Sequence, residues 1–370
     1  MKKNKLLIAS YSLFLIFLSV YSYALVDLNF TLVNSAYWQN FRNWIIQLGY
    51  YNREASSYIY ILFILGLFFF HYKFLTEKQS SSIKIAVIVT ISLFFSYNFL
   101  SHDFFNYLFD AKILTYYKQN PYLTKPMDFP DDPWLRFMHW THRTYPYGPV
   151  FLILTTVTSA LSFGKFILSY LATKAMFFFF YLLTVFFLKK LSNKTAMFFA
   201  TNPLVIIEGL INLHNDLIAV ALSVIGVFYL IKSKHYLKSY AFFTLSVLIK
   251  YLNFPVLLLL KNQKLYAYLS FLSFHLLMIY IAIYKEIQPW YFLNYFTLLP
   301  LVYRQINKMN ILILSLLLSY YPYVRYSQWS NPENIVIKHN IILIGAAIYL
   351  AVAGIDYLKN TKLTAYFLKK

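Results

Sequence analysis

The sequence predicts an all-α, polytopic membrane protein of about ten to twelve helices. Of its 370 residues, 60% are hydrophobic and 21% are aromatic, whereas only 12% are charged. That composition leaves too little polar surface to cover a water-soluble protein of this size. Apolar runs long enough to cross a bilayer, which needs about 20 residues per helix, recur along the chain. We therefore expect one integral membrane domain over residues 1–370.

Twelve apolar segments are predicted, and no internal repeat relates them. They lie near 6–25, 57–75, 83–100, 149–163, 166–188, 195–212, 216–231, 239–260, 265–284, 289–303, 309–322 and 339–357. The first segment resembles a signal peptide in its position after a basic amino terminus. Its apolar run to Leu25 is long and lacks a clear small-residue cleavage site, so we expect a retained helix.

Lysines between the apolar segments predict the orientation, because cytoplasmic turns are enriched in basic residues. The residues used are Lys2, Lys3, Lys5, Lys73, Lys78, Lys84, Lys189, Lys190, Lys194, Lys232, Lys234 and Lys238. They predict that the loop 101–148 and the 214–216 turn lie outside the cytoplasm. If Lys189 is cytoplasmic, the chain must cross the membrane an odd number of times between that loop and Lys189, yet two apolar segments, 149–163 and 166–188, lie there. The shorter one, 149–163, is therefore predicted to be re-entrant or juxtamembrane. Beyond residue 260 lysines are too few to predict orientation.

The formal net charge is +20, yet the basic residues form small groups between apolar segments. This pattern favours contacts with membrane lipids and does not favour nucleic acid as a partner. The sequence has no cysteine, which excludes disulfides, thiolate catalysis and cysteine metal sites.

The loop 101–148 is far longer than a connection between neighbouring helices requires, which indicates a function. Ser101 is predicted to begin an amphipathic helix that lies on the membrane surface and ends near Asn120. Asp103 and Asp110 are two turns apart on one face of it, roughly 10 Å along the axis. A partly desolvated acid there has a raised pKa, which suits the deprotonation of a hydroxyl. Alternatively, Asp103 only stabilises the helix start.

Three other acids of the loop, Asp128, Asp131 and Asp132, lie among prolines and are predicted to be solvated turn residues.

A second group of polar residues lies within or beside an apolar segment, where ionisable groups are costly. Its members are Asn202, Glu208, Asn212, His214, Asn215 and Asp216. Such residues indicate either a functional cavity or a buried polar network that holds the segment together. The His-Asn-Asp run supplies two ligands at most, so no metal site is predicted.

Lys250 is predicted to lie near the middle of the 239–260 span, where it needs an anionic partner. The phosphate of a lipid carrier and the Glu208 carboxylate are the two candidates. Arg304 and Arg325 are cations of the same kind, or else anchors at the lipid headgroups. Trp290 begins a predicted helix and is either a substrate contact or part of an interfacial aromatic belt.

Several of these residues, with further short motifs, follow one another in an order that resembles the GT-C superfamily of membrane glycosyltransferases, especially polyprenyl-phosphate-mannose-dependent mannosyltransferases. The residues that carry the resemblance are Asp103, Asp110-Ala111, Asn120-Pro121-Tyr122, Tyr145-Pro146-Tyr147-Gly148-Pro149, Phe163-Gly164-Lys165, Asn202-Pro203-Leu204, Glu208-Gly209, His214-Asn215-Asp216 and Lys250. The likeness covers residues 100–255 well and the Pro289-Trp290-Tyr291 step more loosely. It implies a GT-C-like module over 83–260 and leaves the amino-terminal 80 residues outside the analogy.

The resemblance implies transfer of a hexose, mannose by analogy, from a polyprenyl-phosphate donor to a lipid-linked or polymeric glycan acceptor. Transfer would invert the anomeric centre at the extracytoplasmic face of the cell membrane and would need no metal or other cofactor. Asp103, with Asp110, would be catalytic, and Lys250 or Arg304 would stabilise the departing phosphate. The remaining implied substrate contacts are Asn202, Glu208, His214, Asn215, Asp216, Tyr147 and Trp290. Trp134, Trp140 and Tyr145 would stack on sugar or cover the site.

Two other functions fit the same composition. A transporter or flippase of lipid-linked sugars would also need charges within the membrane, and a surface-polysaccharide polymerase or ligase would share the membrane class. A flippase has no evident use for a loop carboxylate, and the sequence lacks the duplicated halves common in transporters. Fold analogy alone does not separate these alternatives.

Overall fold

The computed structural model describes residues 2–31, 33–77, 80–259 and 264–367, and its regular structure there is entirely helical. Lys78, which contributed to the predicted orientation, lies outside the described residues. The α-helices are α1 Lys2–Tyr21, α2 Ala36–Ile46, α3 Arg53–Thr76, α4 Ser82–Leu93, α5 Asp103–Thr115, α6 Pro149–Ala160, α7 Phe166–Leu191, α8 Asn193–Thr201, α9 Asp216–Phe228, α10 Tyr236–Val247, α11 Lys264–Tyr284, α12 Tyr303–Lys308, α13 Asn310–Leu318, α14 Tyr321–Tyr326 and α15 Pro332–Phe367.

Six stretches of helix are long and apolar enough to cross a membrane, which confirms the polytopic helical fold. They are Asn4–Leu25, Arg53–Thr76, Phe166–Leu191, Asp216–Ser233, Lys264–Tyr284 and Pro332–Asp356. A seventh span results if α8 and the π-helical segment Val205–Ile211 count as one helix bent by 68°. The described residues thus contain six or seven long spans where twelve apolar segments were predicted.

The other predicted spans are short or interrupted. Helices α4 and α6 have 12 residues each, or about 18 Å, against a bilayer core of about 30 Å. The length of α6 agrees with the expectation that 149–163 does not cross the membrane by itself. The predicted 239–260 span breaks after Val247, and a 3₁₀ segment, Tyr251–Leu258, follows it. Pro255 lies inside that segment, and proline lacks the N–H that an α-helix requires.

Helix α5, the predicted surface helix, is instead buried inside the protein. It runs from Asp103 to Thr115 and packs against α6 and α7, with every residue from Phe104 to Ile113 buried. Its aromatic residues lie on several sides rather than along one stripe, so burial of the whole helix satisfies them better than an interface does. The sequence prediction of a helix beginning near Ser101 is close, since the Ser101 hydroxyl accepts the Asp103 N–H at 3.3 Å.

The loop after α5 folds back to supply polar partners for the buried helix. Lys112 forms an ion pair with Asp132, whose carboxylate also accepts the Tyr117 hydroxyl at 2.7 Å. The prediction that Asp132 is a solvated turn residue is therefore wrong, because a buried lysine requires a counter-ion at that point. Lys112 also lies over the Trp134 ring, 4.0 Å from its centroid.

The bundle has two distinct ends. At one end, hydrogen bonds and a cation–π contact join Asn4 to Ser80, Ser82 to Asn193, and Lys194 to the Tyr303 ring. The other end carries the loop after α5, where Phe137 stacks on Phe166 at the start of α7. Because α7 has 26 residues, the two ends are about 39 Å apart. We call them the lysine end and the loop end.

Candidate active site

Asp103 begins α5 at the loop end. Its Oδ1 atom accepts a hydrogen bond from the Trp140 indole N–H at 3.0 Å. The Asn106 side-chain amide donates to the Trp140 backbone carbonyl at 3.0 Å. Only 15% of the Asp103 side-chain surface is exposed. Burial raises the pKa of Asp103, although Lys250, Arg143 and the Trp140 hydrogen bond oppose that effect. A carboxylate of raised pKa that remains accessible is suited to accept a proton from a hydroxyl.

His214 lies between two carboxylates. Its Nδ1 is 3.8 Å from Asp103 Oδ2, and its Nε2 is 3.3 Å from Glu208 Oε2. The imidazole is stacked on the Trp290 indole, with ring centroids 4.0 Å apart and planes 12° apart. Burial lowers the pKa of His214 well below its usual range, and the charge of Lys250 adds to this, so the ring is neutral at physiological pH.

The backbone before His214 is strained in a way that directs this side chain. Leu213 has φ +60°, which is uncommon for a branched residue and often found at functional sites. It joins the π-helical segment Val205–Ile211 to α9, and the His214 N–H donates to the Glu208 carbonyl at 2.9 Å. This turn sets Glu208, which also accepts the Asn212 amide at 3.1 Å, beside the imidazole.

Lys250 contacts the next two residues of the same turn. Its Nζ is 2.9 Å from Asp216 Oδ2 and 3.3 Å from Asn215 Oδ1. Asp216 starts α9 and also accepts the Asn294 amide at 2.7 Å. The suggested pairing of Lys250 with Glu208 is therefore wrong. Because α10 ends at Val247, Lys250 stands at a helix break rather than in the middle of a span.

Tyr147 is held against Lys250 by a close approach of two backbone segments. The Gly148 N–H donates to the Ile249 carbonyl at 3.4 Å. A Cβ atom at Gly148 would lie 1.8 Å from the Leu248 carbonyl oxygen, so only glycine fits there. The Lys250 ammonium consequently lies 5.6 Å from the centroids of the Tyr147 and Tyr291 rings.

Two cavities adjoin this cluster. The first, of about 380 Å³, is lined by Asp103, Trp140, Glu286, Trp290, Trp329 and Lys338, among others. The second, of about 230 Å³, is lined by Tyr147, Lys250, Lys285, Tyr291 and the apolar residues Ile249, Leu252 and Ile281, with Pro146 and Tyr251. We call them the aspartate cavity and the lysine cavity. The consecutive residues Trp290 and Tyr291 each line one of them.

The structure brings together eight of the sequence-predicted residues at the loop end. They are Asp103, Glu208, His214, Asn215, Asp216 and Lys250 with Tyr147, and Trp290 joins them by its stack on His214. Of the aromatic residues suggested to contact sugar, Trp140 lines the aspartate cavity. Trp134 is buried against Lys112 and Tyr145 is buried as well, and neither lines a cavity.

Four of the predicted residues lie outside this cluster. The Asn202 side-chain amide donates a hydrogen bond to the Asn310 side chain at 3.2 Å, and its oxygen accepts the Leu204 N–H. Asn202 therefore shapes the bend after α8. Asp110 is buried and lines neither cavity. Arg304 bonds Asp356 at 2.5 Å at the lysine end, so it is not a second cation of this site. Arg325 pairs with Glu54 at 3.0 Å.

Sequence reasoning missed several residues of the cluster. Arg143 lies 4.4 Å from the Trp140 ring centroid, and Asn294 bonds Asp216. The cavities are also lined by Lys285 and Glu286, which follow α11, and by Lys338 of α15. The available signal was the asparagine at 294 within an apolar run, since a buried amide there requires a partner. The sequence offers no comparable signal for the partners of Glu286.

The comparisons with known proteins agree with the membrane architecture and the resemblance. The family described as alpha-(1->6)-mannopyranosyltransferase, N-terminal domain, matches residues 21–262. This range contains Asp103, His214 and Lys250, and it also includes residues 21–80, which the resemblance had left outside. No curated protein and no solved structure matches the chain. The family match covers more than half of the 370 residues, and the chain therefore belongs to the alpha-(1->6)-mannopyranosyltransferase family and is a membrane mannosyltransferase.

Proposed function

We propose that this protein transfers mannose from a polyprenyl-phosphate carrier to a hydroxyl of a glycan acceptor, with inversion at the anomeric carbon. One observation carries the proposal: Asp103 and Lys250 both contact the 214–216 turn at one end of the bundle, Asp103 through His214 and Lys250 through Asp216. A base for the attacking hydroxyl and a cation for the departing phosphate are thereby available at neighbouring positions.

The lysine cavity is the proposed donor site. Its lining combines two lysines with isoleucine, leucine and proline side chains, and no carboxylate of the described residues lines it. A polyprenyl phosphate has the matching composition, an anionic head on an apolar chain. Lys250 is partly neutralised by Asp216, so Lys285 supplies the additional positive charge. Aromatic rings from Tyr147 and Tyr291 complete the wall, and such rings suit a sugar ring.

The proposed reaction is a single displacement. The acceptor oxygen attacks C1 of the mannosyl group as the bond from C1 to the phosphate oxygen breaks. The hydroxyl proton passes to the Asp103 carboxylate, and the electron pair of the broken bond leaves on the polyprenyl phosphate. A phosphate is a good leaving group at neutral pH, so the lysines stabilise it without a general acid. An inverting enzyme that forms an α-linkage needs a β-linked donor.

The loop end is proposed to face outward from the cell membrane. Lysines near the ends of α3, α7 and α9 and at the start of α11 lie toward the opposite end, and cytoplasmic ends are enriched in such residues. The donor would then be used at the extracytoplasmic face, where nucleotide sugars are not made. This supports a lipid-linked donor over a nucleotide sugar.

Donor identity tests the proposal. The full chain, purified into lipid nanodiscs with an α-mannoside acceptor, would receive mannose-labelled polyprenyl phosphate in the β form, the same lipid in the α form, or GDP-mannose. We expect labelled acceptor from the β-linked lipid only. Transfer from GDP-mannose alone would overturn the lipid donor, and transfer from the α-linked lipid would overturn inversion. In sealed proteoliposomes, movement of donor across the bilayer without transfer would favour the flippase alternative.

A further inference from the structure

We propose that the aspartate cavity is the acceptor site and that it binds a neutral hexopyranosyl chain, one hydroxyl of which reaches Asp103. This inference rests on the proposed function and adds the location and the residues of acceptor binding. The cavity of about 380 Å³ falls within the range of roughly 300–1,000 Å³ that is usual for small-molecule sites. Asp103 forms part of its wall, so a ligand in the cavity meets the base directly.

Three tryptophans in the lining supply flat, apolar surfaces for pyranose rings. Trp290 is stacked on His214, and Trp329 is stacked on Tyr323 with ring centroids 4.2 Å apart. Trp140 is fixed by its hydrogen bond to Asp103. Each indole is therefore already immobilised before a ligand binds, which lowers the entropy cost of stacking a sugar on it. Trp140 and Trp329 remain 36% and 37% exposed.

The charges of the two cavities assign different ligands to them. The aspartate cavity has two carboxylates in its lining, Asp103 and Glu286, and one lysine, Lys338. That lysine is already engaged, because its Nζ is 2.8 Å from Glu286 Oε1 and 3.3 Å from Gln288 Oε1. Burial raises the pKa of Glu286, but hydrogen bonds and charge from Lys338 and His339 outweigh this effect and bring that pKa below its usual value. An anionic ligand would meet net repulsion here, whereas a neutral polyol finds donors and acceptors.

Several lining residues of the aspartate cavity come from a different part of the chain than Asp103. Glu286, Trp290, Trp329 and Lys338 all follow residue 262, where the match to the mannosyltransferase family ends. The proton-accepting residue lies within the matched range. Trp329 and Lys338 line the aspartate cavity and not the lysine cavity, so changes at these positions can alter acceptor use without loss of donor use.

The test compares Trp329→Leu with Trp44→Leu, which changes an exposed tryptophan of α2 outside both cavities. Full-length variants in nanodiscs would be assayed with α-mannosides of increasing length and with labelled donor. We expect Trp329→Leu to raise the acceptor KM about tenfold or more, with donor KM and acceptor-independent donor hydrolysis unchanged. An unchanged acceptor KM, or an equal loss in donor use, would overturn the acceptor site. Gln288→Ala serves as the second variant if Trp329→Leu does not fold, with the same expectation.

Tryptophan fluorescence without donor separates this inference from the proposed function. Titration of the wild type with α-mannoside oligomers should change its emission, and Trp329→Leu should weaken the apparent affinity while Trp44→Leu does not. If the oligomers bind in this way but the wild type transfers mannose from none of the donors, the acceptor site would be retained and the proposed function rejected. Transfer by the wild type together with undiminished oligomer binding by Trp329→Leu would reject the acceptor site alone.

Discussion

The Lys250 ammonium lies 2.9 Å from the Asp216 carboxylate, beside the break between α10 and the 3₁₀ segment that follows. Asp216 is fully buried and its partner lysine is partly exposed toward the lysine cavity. The pair thus positions a cation at a cavity wall while its counter-ion stays inside the protein. Removing one member of such a pair leaves an uncompensated buried charge and costs about 3–5 kcal/mol.

The double variant Lys250→Met with Asp216→Asn separates the two roles of this lysine. We expect it to regain most of the stability that Lys250→Met alone loses, since no unpaired buried charge remains. Its KM for the polyprenyl-phosphate donor should nevertheless rise at least about tenfold, because the phosphate has lost a cation. Steady-state kinetics and apparent unfolding temperatures check this, with Lys125→Met on the exposed loop as control. Unaltered donor kinetics in the double variant would make Lys250 a purely structural residue.

Gly148→Ala should reduce activity by separating Tyr147 from Lys250. The added Cβ would meet the Leu248 carbonyl oxygen at 1.8 Å, so the 146–149 segment must move away from α10. We expect a lower apparent unfolding temperature and at least about a tenfold loss of kcat/KM. Gly354→Ala is the matched control, since nothing lies within 4 Å of a Cβ atom there. Wild-type kinetics in Gly148→Ala would show that the contact of Tyr147 with Lys250 is unimportant.

Activity should fall on the acid side through the pKa of Asp103, which lies above the ordinary value for aspartate. The carboxylate accepts a proton only when ionised, so activity is present above that pKa and lost below it. Trp140→Phe removes a hydrogen bond that favours the ionised form, so the acid limb should move to higher pH. Profiles of kcat/KM against pH measure this, with Trp44→Phe as control. An acid limb that stays in place would mean that another group titrates.

Asp110→Asn should stabilise the protein at alkaline pH. Burial raises the pKa of Asp110 to about 8. Between its ordinary pKa near 4 and about 8 the folded state holds a proton that the unfolded state has released, so stability decreases as pH rises through this window. Asparagine resembles the neutral acid and removes this contribution. We expect an apparent unfolding temperature higher by roughly 5 °C at pH 8.5 and little changed at pH 5. Equal shifts at both pH values, or none, would contradict a raised pKa, and Asp131→Asn is the exposed control.

The long apolar runs were predictable because length and hydropathy are local properties of the sequence. The breaks were not predicted, although Pro255 offered a local sign that the 239–260 run does not form one helix. The burial of α5 depends on partners from the loop that follows it and folds back onto it, such as Asp132 for Lys112. A sequence pattern carries no information on such a partner until the chain is folded.

The candidate site likewise contains residues that the sequence indicated and residues that it did not. His214, Asp216 and Lys250 attracted attention because charges within apolar segments are costly, and the structure gathers them with Asp103. Arg304 met the same criterion, yet it pairs with Asp356 at the lysine end. The criterion identifies a charge that needs a partner and does not indicate at which end of the bundle the partner lies. Glu286 and Lys338, whose positions depend on how α11 and α15 meet, gave no signal at all.

Transfer of labelled mannose from polyprenyl-phosphate mannose by Asp103→Asn tests the central claim most directly. The asparagine keeps the shape of the side chain and can still accept the Trp140 N–H, but it does not accept the hydroxyl proton. With Asp131→Asn as the matched control, we expect Asp103→Asn to insert and fold normally, to keep its donor affinity, and to lose at least about a hundredfold in kcat. Transfer by Asp103→Asn at the rate of the control would contradict the role of Asp103 as the base.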